Sequence, residues 1–229
     1  MPPPAHPALS RSVEDYLKAI YGLSERGESA STSAIAEALA VQPASVTGMV
    51  KRMAESGLLE HAPYRGARLT QRGQREALKV LRRHRIIETY LCERLGFTWD
   101  DVHEEAERLE HAASDSLVER MAAALQFPSH DPHGAPIPTT TGEIEETDSV
   151  TLAEARSGVD LRIRAVRDED PTRLRSIEAK GLTPGARLRV EEAQAASDHV
   201  SVRVGGEECP VQTVRRDLAE RIYVVAEGG

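Results

Sequence analysis

The sequence predicts a mainly α chain with a small β domain: a winged helix-turn-helix, then a helical dimerisation domain, then an SH3-like barrel. Three observations predict it. Apolar residues recur at spacings of three and four from Ser12 to the segment SDSLVERMAAALQF. A proline-rich stretch without periodicity, FPSHDPHGAPIPTTTGEIEETDS, then breaks the pattern. After it come short alternating segments separated by turn residues, the spacing of a small antiparallel barrel of about five strands.

Composition sets the outer bounds. A chain of 229 residues, 40% hydrophobic and 29% charged, holds one to three domains and can bury a core. With aromatics at 3%, that core is aliphatic. No apolar run approaches the ~18 residues of a membrane span. The opening MPPPAHPALS has neither a basic n-region nor an apolar h-region and reads as a disordered tail, residues 1–11. Cys92 and Cys209 form no CxxC and fit a reducing cytoplasm. The net charge of −8 hides an asymmetry. Pro43 to Ile87 holds ten Lys or Arg against three Glu, whereas Thr98 to His111 holds six Asp or Glu against one Arg. Adjacent basic and acidic blocks suggest one partner that is a polyanion and another that is a cation.

Taken in order, Ser12–Ser24 reads as a helix with Val13, Leu17, Ile20, Tyr21 and Leu23 inward. Ser12 is its expected N-cap, and Asp15 sits where a capping box places its carboxylate. Ser31–Leu39 is a second helix capped by Ser31 or Thr32. Pro43 starts a third, Ala44–Ser56, with Val46, Met49, Val50 and Met53 inward. Two short helices on a tight turn, the second small and polar at its start and basic at its end, read as a helix-turn-helix. In it Pro43, Ser45, Thr47 and Gly48 seat the helix near bases, and Lys51 and Arg52 neutralise phosphates. Leu58–Glu60 and Ala67–Thr70 make a wing around PYRG, with Arg65 and Arg68 toward phosphate or the minor groove. Thr70 caps a long basic helix from Gln71 to about Leu95, on which His84 and Glu88 are one turn apart.

Asp101–Met121 reads as one amphipathic helix with Val102, Ala106, Leu109, Ala113, Leu117 and Met121 as its stripe. Beside that stripe His103, Glu107, Glu110 and His111 fall at roughly 0°, 40°, −20° and 80°, an arc of imidazoles and carboxylates able to share one divalent cation. A solvated acidic face is the bland alternative. His130 and His133, in the proline-rich stretch, read as exposed loop residues. Pro171–Ala179 reads as a short helix inside the β domain, whose strands are TLAEA, LRIRAVR, ARLRVEE, HVSVRV and IYVVAE. The expected organisation is a tail (1–11), a DNA-binding domain (12–75), a metal-binding and dimerisation domain (76–138), a linker (139–149) and an SH3-like domain (150–229).

Four stretches, EDYLKAIY, IAEALAVQPASVTGMVKRMAESGLL, HRIIETYL and VHEEAERLEH followed by PHGAPIP, make the chain resemble the diphtheria toxin repressor family, and within it the manganese transport regulators. The resemblance covers most of the chain, including an SH3-like domain that short manganese regulators lack. It implies a dimeric, metal-activated transcription factor on double-stranded operator DNA, with no enzymatic activity. It implies a primary metal site of Asp15, Glu107, Glu110 and His111, and an ancillary site of His84, Glu88 and His103. In longer members the SH3-like domain adds ligands to the ancillary site. Asp170 aligns with one of them, Arg173 stands where an amide is expected, and Glu169 can substitute. Iron-responsive relatives carry Met and Cys where this chain has Asp15 and Glu107, so hard oxygen donors point to Mn(II) first and Fe(II) second. Zn(II), Co(II) or Cd(II) are expected as in vitro substitutes. Lys18, where short manganese regulators have an acid, implies two separated sites. A metal-dependent phosphodiesterase is the alternative from another class.

Overall fold

The computed structural model describes residues 9–24, 29–62, 66–146, 148–193 and 197–227. Most of the expected N-terminal tail, and Arg65, lie outside them. The chain divides into two compact units, Met1–Arg83 with Pro138–Ile144, and His84–Ile137 with Glu145–Gly229.

The first unit opens with α1 (Arg11–Ser24). The N–H groups of Val13 and Glu14 reach Ser10 O at 2.8 and 3.1 Å, so the helix begins before Ser12. Ser12 is therefore not its cap, and Asp15 is an interior position of the helix rather than the partner in a capping box. Tyr16, Leu17 and Ile20 are buried, whereas Leu23 is exposed and leaves the expected stripe. Next come α2 (Thr32–Ala38) and α3 (Pro43–Glu55). Ser31 caps α2, its hydroxyl accepting from Ala34 N at 3.1 Å. Pro43 occupies the first turn of α3, where its missing N–H costs nothing. Val46, Val50 and Met53 turn inward and pack with Leu17, Ile20 and Ile35.

The wing is the antiparallel hairpin β1 (Leu59–Ala62) and β2 (Gly66–Leu69), in register Leu59↔Leu69, with Ala30 bridging Ala67 on the far side. It leads into α4 (Gln71–Leu95). Thr70 joins these parts. Its hydroxyl donates to Gly57 O at 2.8 Å and accepts from Gly73 N at 3.0 Å, which caps α4. Gly73 is needed there, because a Cβ would lie 2.1 Å from Leu58 O.

The second unit holds the rest of α4, then α5 (Val102–Leu109) and α6 (Asp115–Ala124). The single helix expected over Asp101–Met121 is thus two. Ser114 accepts from Leu117 N and restarts the chain as a new N-terminus, so Glu110 and His111 belong to the turn between helices. Leu109 and Leu117, at 36% and 45% exposed, fall outside the buried stripe for the same reason. Val102, Ala106, Ile87 and Leu91 form one small core, and Ile86, Val118 and Ala122 another.

The β domain is one six-stranded antiparallel sheet: β3 (Val150–Thr151), β4 (Asp160–Val166), β5 (Arg187–Ala193), β6 (His199–Val204), β7 (Val211–Arg215) and β8 (Ile222–Ala226). The spatial order is β3-β8-β4-β5-β6-β7. β7 was not among the expected strands. The helix α7 (Pro171–Ala179) occupies the expected span, and α8 (Arg216–Ala219) links β7 to β8. Leu152, Ile163, Leu174, Ile177, Val190, Val202 and Val224 fill an aliphatic interior.

This barrel is docked on the rest of its unit. Val166 N donates to His133 O at 2.9 Å. Gly134, at φ 82°, comes so close that a Cβ would lie 2.2 Å from Arg164 O. Trp99 packs against the barrel interior, and Arg175 pairs with buried Asp100 at 2.8 Å. His133 is therefore buried and His130 half-buried, not the exposed loop residues expected from their prolines and polarity.

Candidate metal centre

Two helices bring the donors together. On α4, His84 and Glu88 are buried on one face. On α5, Val102 and Ala106 pack against Ile87 and Leu91 of α4, and the flank beside them brings His103 and Glu107 up to α4. His84 Nε2 lies 3.0 Å from Glu88 Oε1 and 3.2 Å from His103 Nδ1, and His103 Nδ1 lies 3.2 Å from Glu88 Oε1. The other ring nitrogen, His84 Nδ1, is 2.5 Å from Glu110 Oε2 and 3.7 Å from Glu107 Oε1. Glu110 Oε1 in turn lies 3.2 Å from His111 Nε2. Glu110 has no exposed side-chain surface, and Glu88 only 4%. Burial alone would raise the Glu88 carboxyl. The charge of His84, hydrogen bonds with His103 and His84, and the charge of His133 outweigh it and hold Glu88 well below the usual carboxylate range.

The donor set fits a divalent cation. His84, Glu88 and His103 each offer one ligand atom, all within 4.8 Å of one another, and His84, Glu107 and Glu110 do likewise. Buried carboxylates in such numbers need positive charge beside them. Every donor is an oxygen or an imidazole nitrogen. Cys92 is the nearby thiol. Burial first, then Glu88, Asp131 and Glu93, push it up to about 12, so it stays protonated at neutral pH and is a poor ligand.

A third buried group, Glu88, Asp131 and His133, was missed in the sequence. Its parts are held structurally. Asp131 Oδ1 accepts from His133 N and Ala135 N at 2.9 and 3.0 Å, its Oδ2 lies 3.3 Å from Arg85 Nε, and His133 Nε2 donates to Trp99 O at 2.7 Å. Burial and Glu88 raise the Asp131 carboxyl, against Arg85 and His133. The only sequence signal was the polar pair itself inside a proline-rich turn.

From the β domain, Glu169 Oε2 faces His103 Nε2 at 3.6 Å. Its neighbours are engaged elsewhere. Asp170 caps α7, accepting from Thr172 N and Arg173 N at 2.8 and 3.0 Å. Arg173 grips Asp168 through Nε and Nη2 at 2.7 and 2.8 Å, which explains a guanidinium where an amide was expected.

In the first unit Asp15 is half-buried on α1. Pro43, Ser45, Thr47, Gly48, Lys51 and Arg52 line the solvent side of α3, and Arg68 is exposed on β2. The Thr47 hydroxyl donates back to Pro43 O at 3.2 Å.

Known proteins place this arrangement. The family model for the iron dependent repressor N-terminal DNA binding domain matches residues 8–67, that for the iron dependent repressor metal binding and dimerisation domain matches 70–139, and the FeoA domain matches 150–226. The iron-dependent repressor IdeR of Mycobacterium leprae is 33% identical over 201 residues, covering 82% of this chain and 87% of its own. The chain belongs to the iron-dependent repressor family. The diphtheria toxin repressor of Corynebacterium glutamicum is 35% identical over 164 residues, 69% of this chain and 72% of its own. Among solved structures, a manganese-dependent transcriptional repressor in complex with manganese superposes with a TM-score of 0.87 at 36% identity, covering 94% of this chain and all of its own. The manganese regulator SloR superposes at 0.79 with 35% identity, covering 94% of this chain and 98% of its own. As a member of this repressor family the chain is a metal-dependent transcriptional regulator and not an enzyme. Among the described residues no helix is long and apolar enough to cross a membrane.

Proposed function

We propose that this family member is a manganese-responsive repressor that occupies double-stranded operator DNA when metal-loaded and silences metal uptake genes. The observation that carries the reading is the set of imidazole and carboxylate donors that meet around His84, among the described residues without a cysteine in the cluster. The similarity to manganese-dependent repressors supports the same choice over Fe(II), which is the second reading.

In this proposal Glu107, Glu110 and His111, with Asp15 contributed by the DNA-binding domain, form the primary site. His84, Glu88 and His103, with Glu169 or Asp170 from the β domain, form the ancillary one. The cation supplies positive charge that the three mutually repelling carboxylates Asp15, Glu107 and Glu110 otherwise lack. Asp15 joins the others only at the cost of that repulsion, so metal biases the chain toward the DNA-competent state. Pro43, Ser45, Thr47 and Gly48 approach bases, and Lys51, Arg52, Arg65 and Arg68 contact phosphates. Exposed Leu95, Phe97, Leu117 and Phe127 supply the apolar face for a second copy. The modules are taken as 12–75, 76–138 and 150–229.

The test is an anaerobic titration of operator binding with Mn(II) and with Fe(II), against an EDTA-treated control. Mn(II) is expected to give the tightest complex, and Asp15→Ala to abolish metal dependence. Equal operator affinity with and without chelator would overturn the reading.

A further inference from the structure

We propose that Arg83 is a positioning residue for the metal: by gripping Glu14 it fixes the side of α1 from which Asp15 projects. This rests on the reading of Asp15 as a ligand and adds the residue that aims it.

The pair stands one residue before a proposed donor in each of two helices. Glu14 precedes Asp15 on α1, and Arg83 precedes His84 on α4. Arg83 Nη2 donates to Glu14 Oε1, and Arg83 belongs to the same compact unit as α1. The two side chains are 20% and 13% exposed, so water competes little for the bond. Glu14 lies one turn before Leu17, which with Ile20 is fully buried on the inner side of α1. Those apolar contacts hold the helix down, but hydrophobic burial is non-directional and sets its rotation only loosely. A charge-assisted hydrogen bond is directional. It fixes where Glu14 lies, and Asp15 follows about 100° further round the same helix.

The neighbours of Arg83 are used in the same way. Arg82 Nη1 donates to Pro138 O at 2.9 Å. Arg85 Nη1 donates to Pro136 O, and its Nε lies 3.3 Å from Asp131. Three of the ten basic residues between Pro43 and Ile87 thus bind the protein's own oxygens. In the run RRHR the arginines are internal clamps on either side of His84, not a surface for phosphate.

The test uses the full chain and three forms of the pair: Arg83→Met, Glu14→Gln, and the swap of Glu14→Arg with Arg83→Glu. The readouts are the Mn(II) concentration at half-maximal operator binding, operator affinity at saturating Mn(II), and circular dichroism in EDTA. Both single variants are expected to need about 10-fold more Mn(II), and the swap to return within about threefold of wild type. Operator affinity at saturating Mn(II) is expected to stay within about threefold of wild type, because excess cation restores the bound state. A pair that merely braced the fold would lower that affinity too. A through-space charge effect would move the single variants in opposite directions, since Arg83→Met leaves an extra anion near the cation and Glu14→Gln an extra cation. Either of those results, an unshifted Mn(II) midpoint, or a swap no better than the single variants overturns the proposal. Glu14→Gln keeps the shape of its side chain and carries the test should Arg83→Met fold poorly. A wild type that responds to Mn(II), with single variants that match it, sinks the clamp alone. A wild type indifferent to Mn(II) overturns the metal-site reading and this proposal with it.

Discussion

α3 and α5 are both short amphipathic helices with a polar arc beside an apolar stripe, yet they put that arc to opposite uses. On α3 the polar side, Ser45, Thr47, Lys51 and Arg52, stays in water. On α5 the polar side, His103 and Glu107, turns toward His84 and Glu88 of α4. The difference lies in the neighbour. α3 packs its buried side on Leu17, Ile20 and Ile35 and nothing among the described residues faces its outer one, whereas α4 carries its own imidazole and carboxylate to meet α5. A polar helix face is a surface or a site according to what lies opposite, and the helix itself does not say which.

Substitutions on the two helices should separate these uses. The largest effect is expected from Lys51→Glu with Arg52→Glu. Reversing the two charges proposed to meet phosphate should weaken operator binding by about 100-fold or more near 0.1 M salt, while Mn(II) uptake by calorimetry stays unchanged. A change in uptake would mean that the two helices are not independent in function. Next, Glu88→Gln should cost one Mn(II) equivalent, or about 10- to 100-fold in its affinity, with circular dichroism unaltered. Loss of helical signal would make the cluster a structural core and not a site.

Two smaller effects address how the α5 side is supported. Gly134→Ala meets both a positive φ and the Arg164 carbonyl, and should lower stability by about 2–4 kcal/mol in urea titrations. A wild-type midpoint would show that the barrel docks otherwise. Arg173→Gln should cost below about 1 kcal/mol, since the guanidinium is 43% exposed and screened. Burial raises the Asp168 carboxyl, but its hydrogen bonds from Arg173 and Asp170 N and the Arg173 charge win and lower it. A depressed folded value means stability that is present above the ordinary carboxylate range and is lost as pH falls through the folded value. In Arg173→Gln that acid loss should begin at higher pH, and an unchanged acid profile would remove Arg173 from the account.

Much of this was legible in the chain. Pro43 at a helix start, Thr70 before a basic periodic run and Pro171 after acidic residues are local signals, and α3, α4 and α7 follow them closely. The break between α5 and α6 was not read, although Ser114 followed by Asp115 marks it. The apolar spacing from Val102 to Met121 runs through that cap in phase and hides it. His133 was not legible. Its burial comes from β4, some thirty residues later in the chain, through Val166 and Arg164. β7 was obscured because VQTVR, an edge strand, buries only Val214 and shows little alternation. That His84, Glu88, His103, Glu107 and Glu110 would come together could be expected from residue type and resemblance. Which atom faces which depends on packing that no spacing encodes.

The contact at Gly134 has a consequence for how this protein can evolve. The backbone that holds Asp131 and His133 is braced from outside, by β4 carbonyl and amide groups that arrive only when the third domain is present. Short manganese regulators manage without that domain, but this chain cannot be trimmed to their length at no loss. Truncation after residue 149 would remove the β4 groups that meet His133 O and Gly134, and would uncover His133, which stands 3.9 Å from Glu88. The third domain thus acts as a splint for the turn that carries Asp131 and His133.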